Sequence, residues 1–488
     1  MEKVIHVNHL VKFLLFRVSL LNKGLRYISF FCFVLFYSCS FAQSGYQIRI
    51  KTENINADSL FVKSYHVKNK KFEQFIAVKF EKDITLKDKT PLDAGIYIIE
   101  ADSAILSEFL ISDVKNQKFT ITFLKDDVRI EGSKENSANR PYMKKMLEFR
   151  MQLRDLELEF QLMQQKGLPN NVMQAYVDTF FMRLKLHYAE KRAYQEKIMA
   201  ENKGLLLASI IQCSMEVPPP PQEYYKSQIK YLTYIAEHFF DAYTWDDERL
   251  LQTPVIYKQL KEFAQTILPL EAEITIPIVL KALNASKKNR NLYLALFDYL
   301  EQDFGSYRSP YRDVKLYIEM LKDILQQPDI EEFRKIFYKY ELKLITNNQE
   351  GDQAIDFNML LSNGDTTNLY AFDAEILLLY FQNPDCPTCS EFREKMKNME
   401  SLYRAISSGK LKVLSIYFEE KEELWRNYLK TKAFTNWTHG WNYDLRISEE
   451  RLYDVRNIPT IMILDKNKKV IKKDIFPNEL EEWLKRNM

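Results

Sequence analysis

The sequence predicts a multidomain protein with an N-terminal antiparallel β-sandwich, a central all-α domain and a C-terminal α/β domain. Three observations predict it. Apolar residues alternate with period two to about residue 135, recur at helical steps of three and four from 141 to about 344, and then fall into alternating strand-like and helix-like runs. The chain has 488 residues, 46% hydrophobic and 28% charged, which is a globular composition. That length suggests about three domains. Eleven glycines against 32 Phe and 29 Tyr supply apolar area for several cores. They also leave no glycine-rich phosphate loop, which argues against nucleotide binding.

Residues 1–42 read as an export signal. The stretch 27–37, YISFFCFVLFY, is apolar and uncharged, and Lys3, Lys12, Arg17, Lys23 and Arg26 precede it. Ser40-Phe41-Ala42 then fits the small-x-small rule for cleavage before Gln43. The run is shorter than the ~20 residues of a membrane span. The basic stretch is long, so a start codon downstream of Met1 would also suit it. The alternatives are an uncleaved N-terminal membrane anchor, or a lipoprotein acylated at Cys39, whose preceding Phe36-Tyr37-Ser38 is bulky for that signal. The expected location is the periplasm or cell envelope. The formal charge of +2 becomes −2 without these residues and their single acid, Glu2. A near-neutral chain gives no electrostatic case for nucleic acid.

From 43 to 135, strands are expected at 46–50, 59–62, 95–99, 108–111, 119–123 and 128–130. They are bounded by Asp, Asn, Lys and Gly, as in a small antiparallel sandwich or barrel. The helical domain is expected over 136–345. Met146, Phe149, Leu153, Leu156 and Phe160 make one apolar stripe there. Val217-Pro218-Pro219-Pro220-Pro221 interrupts the helical pattern and reads as a stiff extended connector rather than a peptide-recognition motif. No repeat of fixed period is present.

The C-terminal domain is expected over 346–488. A strand at 354–361 precedes the turn Asn363-Gly364-Asp365. The unbroken apolar run 376–381 reads as a strand buried on both faces. A helix over 387–407, a strand at 411–418 and a helix over 420–432 follow. Strands at 460–464 and 469–473 flank the turn Asp465-Lys466-Asn467. A last helix covers 478–487, with Asn478 as its N-cap.

The chemistry lies in the cysteines. There are five, Cys32, Cys39, Cys213, Cys386 and Cys389, and the first two leave with the signal. One Cys-x-x-Cys pair in a thiol-poor exported chain reads as a redox couple rather than a disulfide scaffold. Cys386-Pro387-Thr388-Cys389 sits where the buried strand ends and a helix begins. Unpaired N–H groups and the helix dipole there favour an anion, so the Cys386 thiol pKa should fall and make it the nucleophile. Pro387 suits the first helical position, where its missing N–H is not needed. Cys389 comes one turn later, within reach to resolve a mixed disulfide. A zinc site is the weaker reading, because four ligands are wanted and only His439 is near. A structural disulfide without turnover is the other alternative. Cys213, between Ile211 and Met215, reads as a buried hydrophobe. His66, His187 and His238 show no ligand spacing. Trp437 and Trp441, flanking His439-Gly440, read as packing under the sheet. No metal and no organic cofactor is expected.

The strand, the CxxC at a helix start and the later Ile458-Pro459 before a strand together resemble the thioredoxin superfamily. The leader 354–369 is similar to its exported TlpA/ResA-like branch. The resemblance implies that Pro459 is a cis-proline packed beside the CxxC, and that the Ile458 backbone pairs with substrate peptide. Phe381-Gln382-Asn383-Pro384-Asp385-Cys386, the Pro218–Pro221 run and the segment from Asp246 to Pro254 are similar to envelope proteins with a helical domain of unknown function ahead of the thioredoxin part. The N-terminal region resembles the small β-domain fused to such proteins.

Some features depart from the family pattern. Tyr380 stands where thioredoxin has a buried carboxylate. Glu391 and Glu394 do not align with the glutamate that the TlpA/ResA-like branch carries past its second cysteine, so no proton acceptor for Cys389 is assigned. Phe381 and Asp385 replace the tryptophan-rich approach, and Asp385 opposes the helix dipole beside Cys386. Pro387-Thr388 holds no histidine to stabilise a thiolate.

The resemblance implies an envelope thiol–disulfide oxidoreductase, with a reductase preferred and an isomerase or oxidase as the alternatives. Its expected partners are proteins with cysteines or disulfides, an envelope electron donor and a second copy of the chain. The alternative is a partner-binding or dimerising envelope module in which the CxxC is a secondary switch or a structural disulfide.

Overall fold

The computed structural model describes residues 45–488, apart from 53, 54, 56, 67–69, 103, 113, 114, 116, 126, 269 and 270. The expected export signal, with Cys32 and Cys39, lies outside the described residues. The chain divides into two compact units. One runs to Gln222 and takes in Asp241–Tyr243 and Asp247–Gln259; the other holds Glu223–Phe240, Thr244–Asp246 and Leu260–Met488.

The first unit begins with eight strands: β1 (Gln47–Thr52), β2 (Ser59–His66), β3 (Lys71–Lys79), β4 (Asp83–Lys87), β5 (Gly95–Ala101), β6 (Ala104–Ile111), β7 (Lys118–Phe123) and β8 (Val128–Glu131). They form two four-stranded sheets, β4-β1-β7-β8 and β3-β2-β5-β6. Ile48, Ile50, Leu60, Val62, Ile99 and Ile121 alternate into their common core. The period-two pattern finds six of these strands and misses β3 and β4. β3 is a sheet edge whose residues are exposed or half-buried, with Phe75 in water, so it carries no apolar face to read. β4 offers only Ile84 and Leu86 in five residues. The pairing is antiparallel except between β1 and β7, which run parallel with Gln47 opposite Lys118.

A hairpin of two 32-residue helices follows, α1 (Lys134–Gln165) and α2 (Asn170–Glu201), then α3 (Leu206–Cys213). α1 begins ahead of Pro141, capped by the Ser133 side chain. Asn136 then bonds the Leu110 backbone through both ends of its amide, at 2.7 and 2.8 Å, and so ties α1 to β6. Phe149 and Leu156 of the expected stripe are buried. Cys213 closes α3 in an apolar setting, where burial pushes its thiol up to about 12. The four prolines of 218–221 lie outside helices and strands.

Further helices are α4 (Gln228–His238), α5 (Pro254–Glu262), α6 (Ala272–Ser286), α7 (Arg290–Leu300), α8 (Val314–Leu325) and α9 (Glu332–Thr346). The second unit then continues into a seven-stranded sheet of order β10-β9-β13-β12-β11-β14-β15. Its strands are β9 (Asn358–Leu361), β10 (Thr366–Asn368), β11 (Ile376–Phe381), β12 (Leu411–Tyr417), β13 (Thr438–Trp441), β14 (Thr460–Asp465) and β15 (Val470–Lys473). β11 is parallel to β12 and antiparallel to β14. Leu377, Leu379 and Phe381 face one core, and Leu378 and Tyr380 the other. The second core is covered by α10 (Pro387–Lys397), α11 (Glu400–Ser407) and α14 (Pro477–Asn487) through Met396, Leu402, Leu480 and Leu484. Between strands lie α12 (Glu422–Thr431) and the single turn α13 (Arg446–Glu449).

Several expected elements differ in detail. The helix expected over 387–407 is two, because Met399 takes an extended conformation as the cap of α11. The strand expected from 354 begins only at Asn358. The last helix is capped at Phe476, not Asn478; the Phe476 N–H donates to Glu479 Oε2 at 2.8 Å and Pro477 takes the first position. β13 is absent from the sequence reading, being four residues around Gly440. A Cβ at Gly440 would come within 2.9 Å of Ile416 Cδ1, so a larger residue there would have to displace the Ile416 side chain.

The loop before β14 is clasped from the helical side of the same unit. Arg456 forks onto Asp454, Nε to Oδ1 at 2.8 Å and Nη2 to Oδ2 at 2.9 Å, and also pairs with Glu341 of α9. Tyr307 donates to the same Asp454 carboxylate. The Asp454 and Glu341 side chains are only 2% and 8% exposed, while Arg456 is 33% exposed. Removing the cation would leave two buried carboxylates facing each other. Arg456→Met is therefore expected to destabilise this unit by roughly 1–3 kcal/mol, less than for a fully buried pair because Arg456 reaches water. Urea denaturation of the full chain should show the lower midpoint.

Candidate functional site

The buried strand β11 delivers the chain to the site. After Phe381 the backbone turns through Asn383-Pro384-Asp385. The Cys386 N–H bonds to Asn383 O at 3.1 Å, and the Asp385 N–H to Asn383 Oδ1 at 2.8 Å. Cys386 is the N-cap of α10 and Pro387 its first residue. The sulfur occupies the place of a capping oxygen, accepting the Cys389 N–H at 3.2 Å. An orphan backbone donor and the positive helix end thus face the sulfur, an arrangement that favours negative charge on it.

Cys386 is half-buried, Pro387 and Thr388 are exposed, and Cys389 is fully buried behind them. Both thiols are free. Burial and the hydrogen bond with Cys386 push the Cys389 thiol up to about 12. The Ile458–Pro459 peptide bond is cis. Its Ile458 carbonyl lies 3.9 Å from the Cys386 sulfur. The register that pairs Phe381 with Thr460 brings this loop to the end of β11. Cys386, Cys389, Ile458 and Pro459 therefore meet at one point, 72 residues apart in sequence between Cys386 and Ile458.

Beneath α10 lies a polar layer that the sequence reading does not identify. Tyr380 donates its hydroxyl to the Cys389 carbonyl at 2.8 Å. Burial pushes its pKa up, so it is a fixed donor rather than a base. Arg393, one turn past Cys389 on the same buried side of α10, is 3% exposed. It donates to Gln382 Oε1 and stacks 5.3 Å from the Tyr428 ring centre. Gln382 in turn reaches Ser415 Oγ at 3.3 Å. The signal for Arg393 was present: Cys389, Arg393 and Met396 are spaced four and three apart, which puts a cation on the stripe of α10 that faces the sheet. Glu391 and Glu394 instead point to water and pair with Lys395 and Lys397.

The aromatic residues near the site have structural roles. Trp437 packs edge-on to Tyr380 with ring centres 5.9 Å apart, and the Trp441 Nε1–H donates to Glu419 O at 2.9 Å. His439 is buried beside Trp437 and Tyr428, and burial pushes its pKa down. Its Nε2 lies 3.0 Å from Phe434 O, which assigns the proton to Nε2. Among the described residues, no group of three or more His, Cys, Asp or Glu is placed to hold a metal.

Parts of the chain are similar to known proteins. Residues 373–470 match the family model described as thioredoxin-like. Residues 186–348 match a domain of unknown function, DUF5106. The crystal structure of a thioredoxin-like protein from Bacteroides caccae is 27% identical over 56% of this chain and 99% of its own, with a TM-score of 0.53. The C-terminal domain of an uncharacterized protein from Bacteroides fragilis is 38% identical over 28% of this chain and 98% of its own, with a TM-score of 0.28. The thioredoxin domain of a thiol-disulfide oxidoreductase from Bacteroides vulgatus is 17% identical over 28% of this chain and 96% of its own, with a TM-score of 0.25. No curated protein matches.

The unequal settings of the three thiols among the described residues predict an order of labelling. With iodoacetamide at pH 7–9, Cys386 should be alkylated first. Cys389 and Cys213 should lag by about tenfold or more, since thiols near 12 remain protonated throughout that range and both are buried. Peptide mass mapping over time reads the order.

Proposed function

Because the C-terminal domain of this chain belongs to the thioredoxin-like family, we propose that the protein is an exported thiol–disulfide oxidoreductase that reduces disulfides in other exported proteins. The observation that carries the proposal is the Cys386 sulfur at the helix N-cap, beside the Ile458 carbonyl and in front of a buried Cys389.

The reaction proceeds in two exchanges. The Cys386 thiolate attacks a substrate disulfide, forms a mixed disulfide and releases one substrate cysteine as thiolate, which takes up a proton. Cys389 then loses its proton and attacks the Cys386 sulfur. The Cys386–substrate bond breaks, the Cys386–Cys389 disulfide forms, and the second substrate thiolate leaves and is protonated. Two electrons have passed to the substrate, and an envelope electron donor returns them to the pair. Ile458 and Pro459 border the sulfur on the side where a substrate peptide would lie, and Pro387 and Thr388 form the exposed rim. The chemistry resides in the two thiols and calls on no cofactor. The signal-like sequence over 1–42 supports a periplasmic or envelope location, with an N-terminal membrane anchor as the alternative.

A second reading is a partner-binding or dimerising envelope module with the thiol pair as a switch. It is favoured by one observation: Met143, Leu147, Met151, Leu158 and Leu162 form an exposed apolar stripe along α1.

The test is the reduction potential of Cys386/Cys389, titrated against thiol–disulfide buffers. A value near about −270 mV supports a reductase, and one near about −120 to −180 mV an oxidase or isomerase. The absence of a reversible couple would sink the redox reading. Cys386→Ser should abolish reduction of insulin disulfides, whereas Cys389→Ser should accumulate a mixed disulfide visible on non-reducing gels. A cellular phenotype that persists in Cys386→Ser would favour the binding module.

A further inference from the structure

Arg393 presents a physical problem. A guanidinium cannot shed its proton, and taking it out of water costs several kcal/mol unless an anion compensates. Arg393 is 3% exposed. Among the described residues, no carboxylate forms an ion pair with it. Its contacts are a neutral amide oxygen on Gln382 and the face of Tyr428. Helical side chains lean towards the N-terminus, so a residue four positions on lies against its predecessor. On α10 that predecessor is Cys389, itself fully buried.

Cys389 presents the complementary problem. It must become an anion to resolve the mixed disulfide, yet burial disfavours one and the neighbouring residues supply no base. Glu391 and Glu394 face water, and Tyr380 is a donor spent on the Cys389 carbonyl.

We propose that Arg393 is the positioning residue for the resolving step: its fixed charge stabilises the Cys389 thiolate, replacing a carboxylate proton acceptor with electrostatic support for the anion. The inference rests on the redox role proposed above. In the free dithiol, two influences of Cys386 raise the Cys389 pKa, the hydrogen bond between the sulfurs and the charge on Cys386. Both disappear once Cys386 is bonded to substrate. Burial then still opposes ionisation, while the backbone hydrogen bond at Asn383 and the cation of Arg393 favour it. Cys389 is therefore held as a thiol at rest and is eased towards thiolate when a mixed disulfide has formed. Its proton leaves to solvent, and an equivalent proton is taken up by the departing substrate thiolate, so no buried base is consumed. A charge within ~4–6 Å of a thiolate lowers its pKa by about 1–3 units.

The experiment follows the reduced full chain reacting with 5,5′-dithiobis(2-nitrobenzoate) by stopped flow. Attack by Cys386 releases one thionitrobenzoate, and resolution by Cys389 releases a second. Arg393→Met should leave the first phase within about twofold, slow the second by about tenfold or more at pH 7, and move its pH profile upwards by about one unit. Arg393→Lys should restore the second phase to within a few-fold. Gln382→Glu is nearly isosteric and sets a carboxylate against the guanidinium, so it should slow the second phase as Arg393→Met does. It carries the test even if Arg393→Met fails to fold. A second phase with wild-type rate and pH profile in Gln382→Glu, and in Arg393→Met where it folds, overturns the proposal while leaving the redox role intact. A wild-type chain that never releases the second thionitrobenzoate defeats the redox role itself.

Discussion

The pairing of β11 with β14 is the constraint on which the site depends. β11 is buried on both faces and hydrogen-bonded on both edges, so its register is fixed by two sheet neighbours and two cores at once. With Phe381 opposite Thr460, the turn that leaves β11 and the loop that enters β14 lie side by side. A slip of one residue would exchange the faces, turning Tyr380 away from α10 and separating Cys386 from Ile458. The sulfur of Cys386 meets one more constraint, because it fills the capping position of α10 and is held by the Cys389 N–H.

Around this core, the loop before β14 is secured twice. Thr460 Oγ1 bonds to Asn457 O at 3.0 Å from the strand side. Arg456 and Asp454 tie it to α9 and to Tyr307 on the helical side. Ile458 thus stands between two anchored ends. Its backbone, the surface nearest the thiol, is set by groups that include residues of the helical region. That gives part of the helical region a physical connection to the redox centre.

Much of this arrangement is legible in the sequence where one signal dominates. The run 376–381 reads as a buried strand because all six residues are apolar or aromatic, and the CxxC reads as a helix start because proline follows the first cysteine. Ile458-Pro459 stands out as the turn into a second apolar run. Legibility fails where competing signals are close in strength. Asn478 is a good capping residue, yet Pro477 just before it shifts the cap to Phe476. The helix from 387 continues by propensity through Asn398-Met399, but packing of Met399 into the core breaks it. β3 shows no apolar face and β13 is shorter than the pattern window. Arg393 was hidden for another reason. A charged residue on an amphipathic helix is read as solvated, and only its spacing from Cys389 and Met396 indicates otherwise.

The parallel partnership of β1 with β7 bears on how the first unit can assemble. β2 with β3, β5 with β6 and β7 with β8 are neighbours in the chain and can zip as local hairpins. β1 is not the chain neighbour of either of its partners: β4 follows after two intervening strands, and β7, across Gln47–Lys118, only after five. Closing so distant a contact carries a loop entropy that is offset only when the rest of the sheet is ready to receive it. In a chain that emerges from its N-terminus onwards, β1 comes before both of the strands that flank it in the sheet. β4 can pair with one edge of β1 first, but the other edge stays open until β7 follows, and that interval is set by the pace at which the chain emerges rather than by the intrinsic speed of pairing.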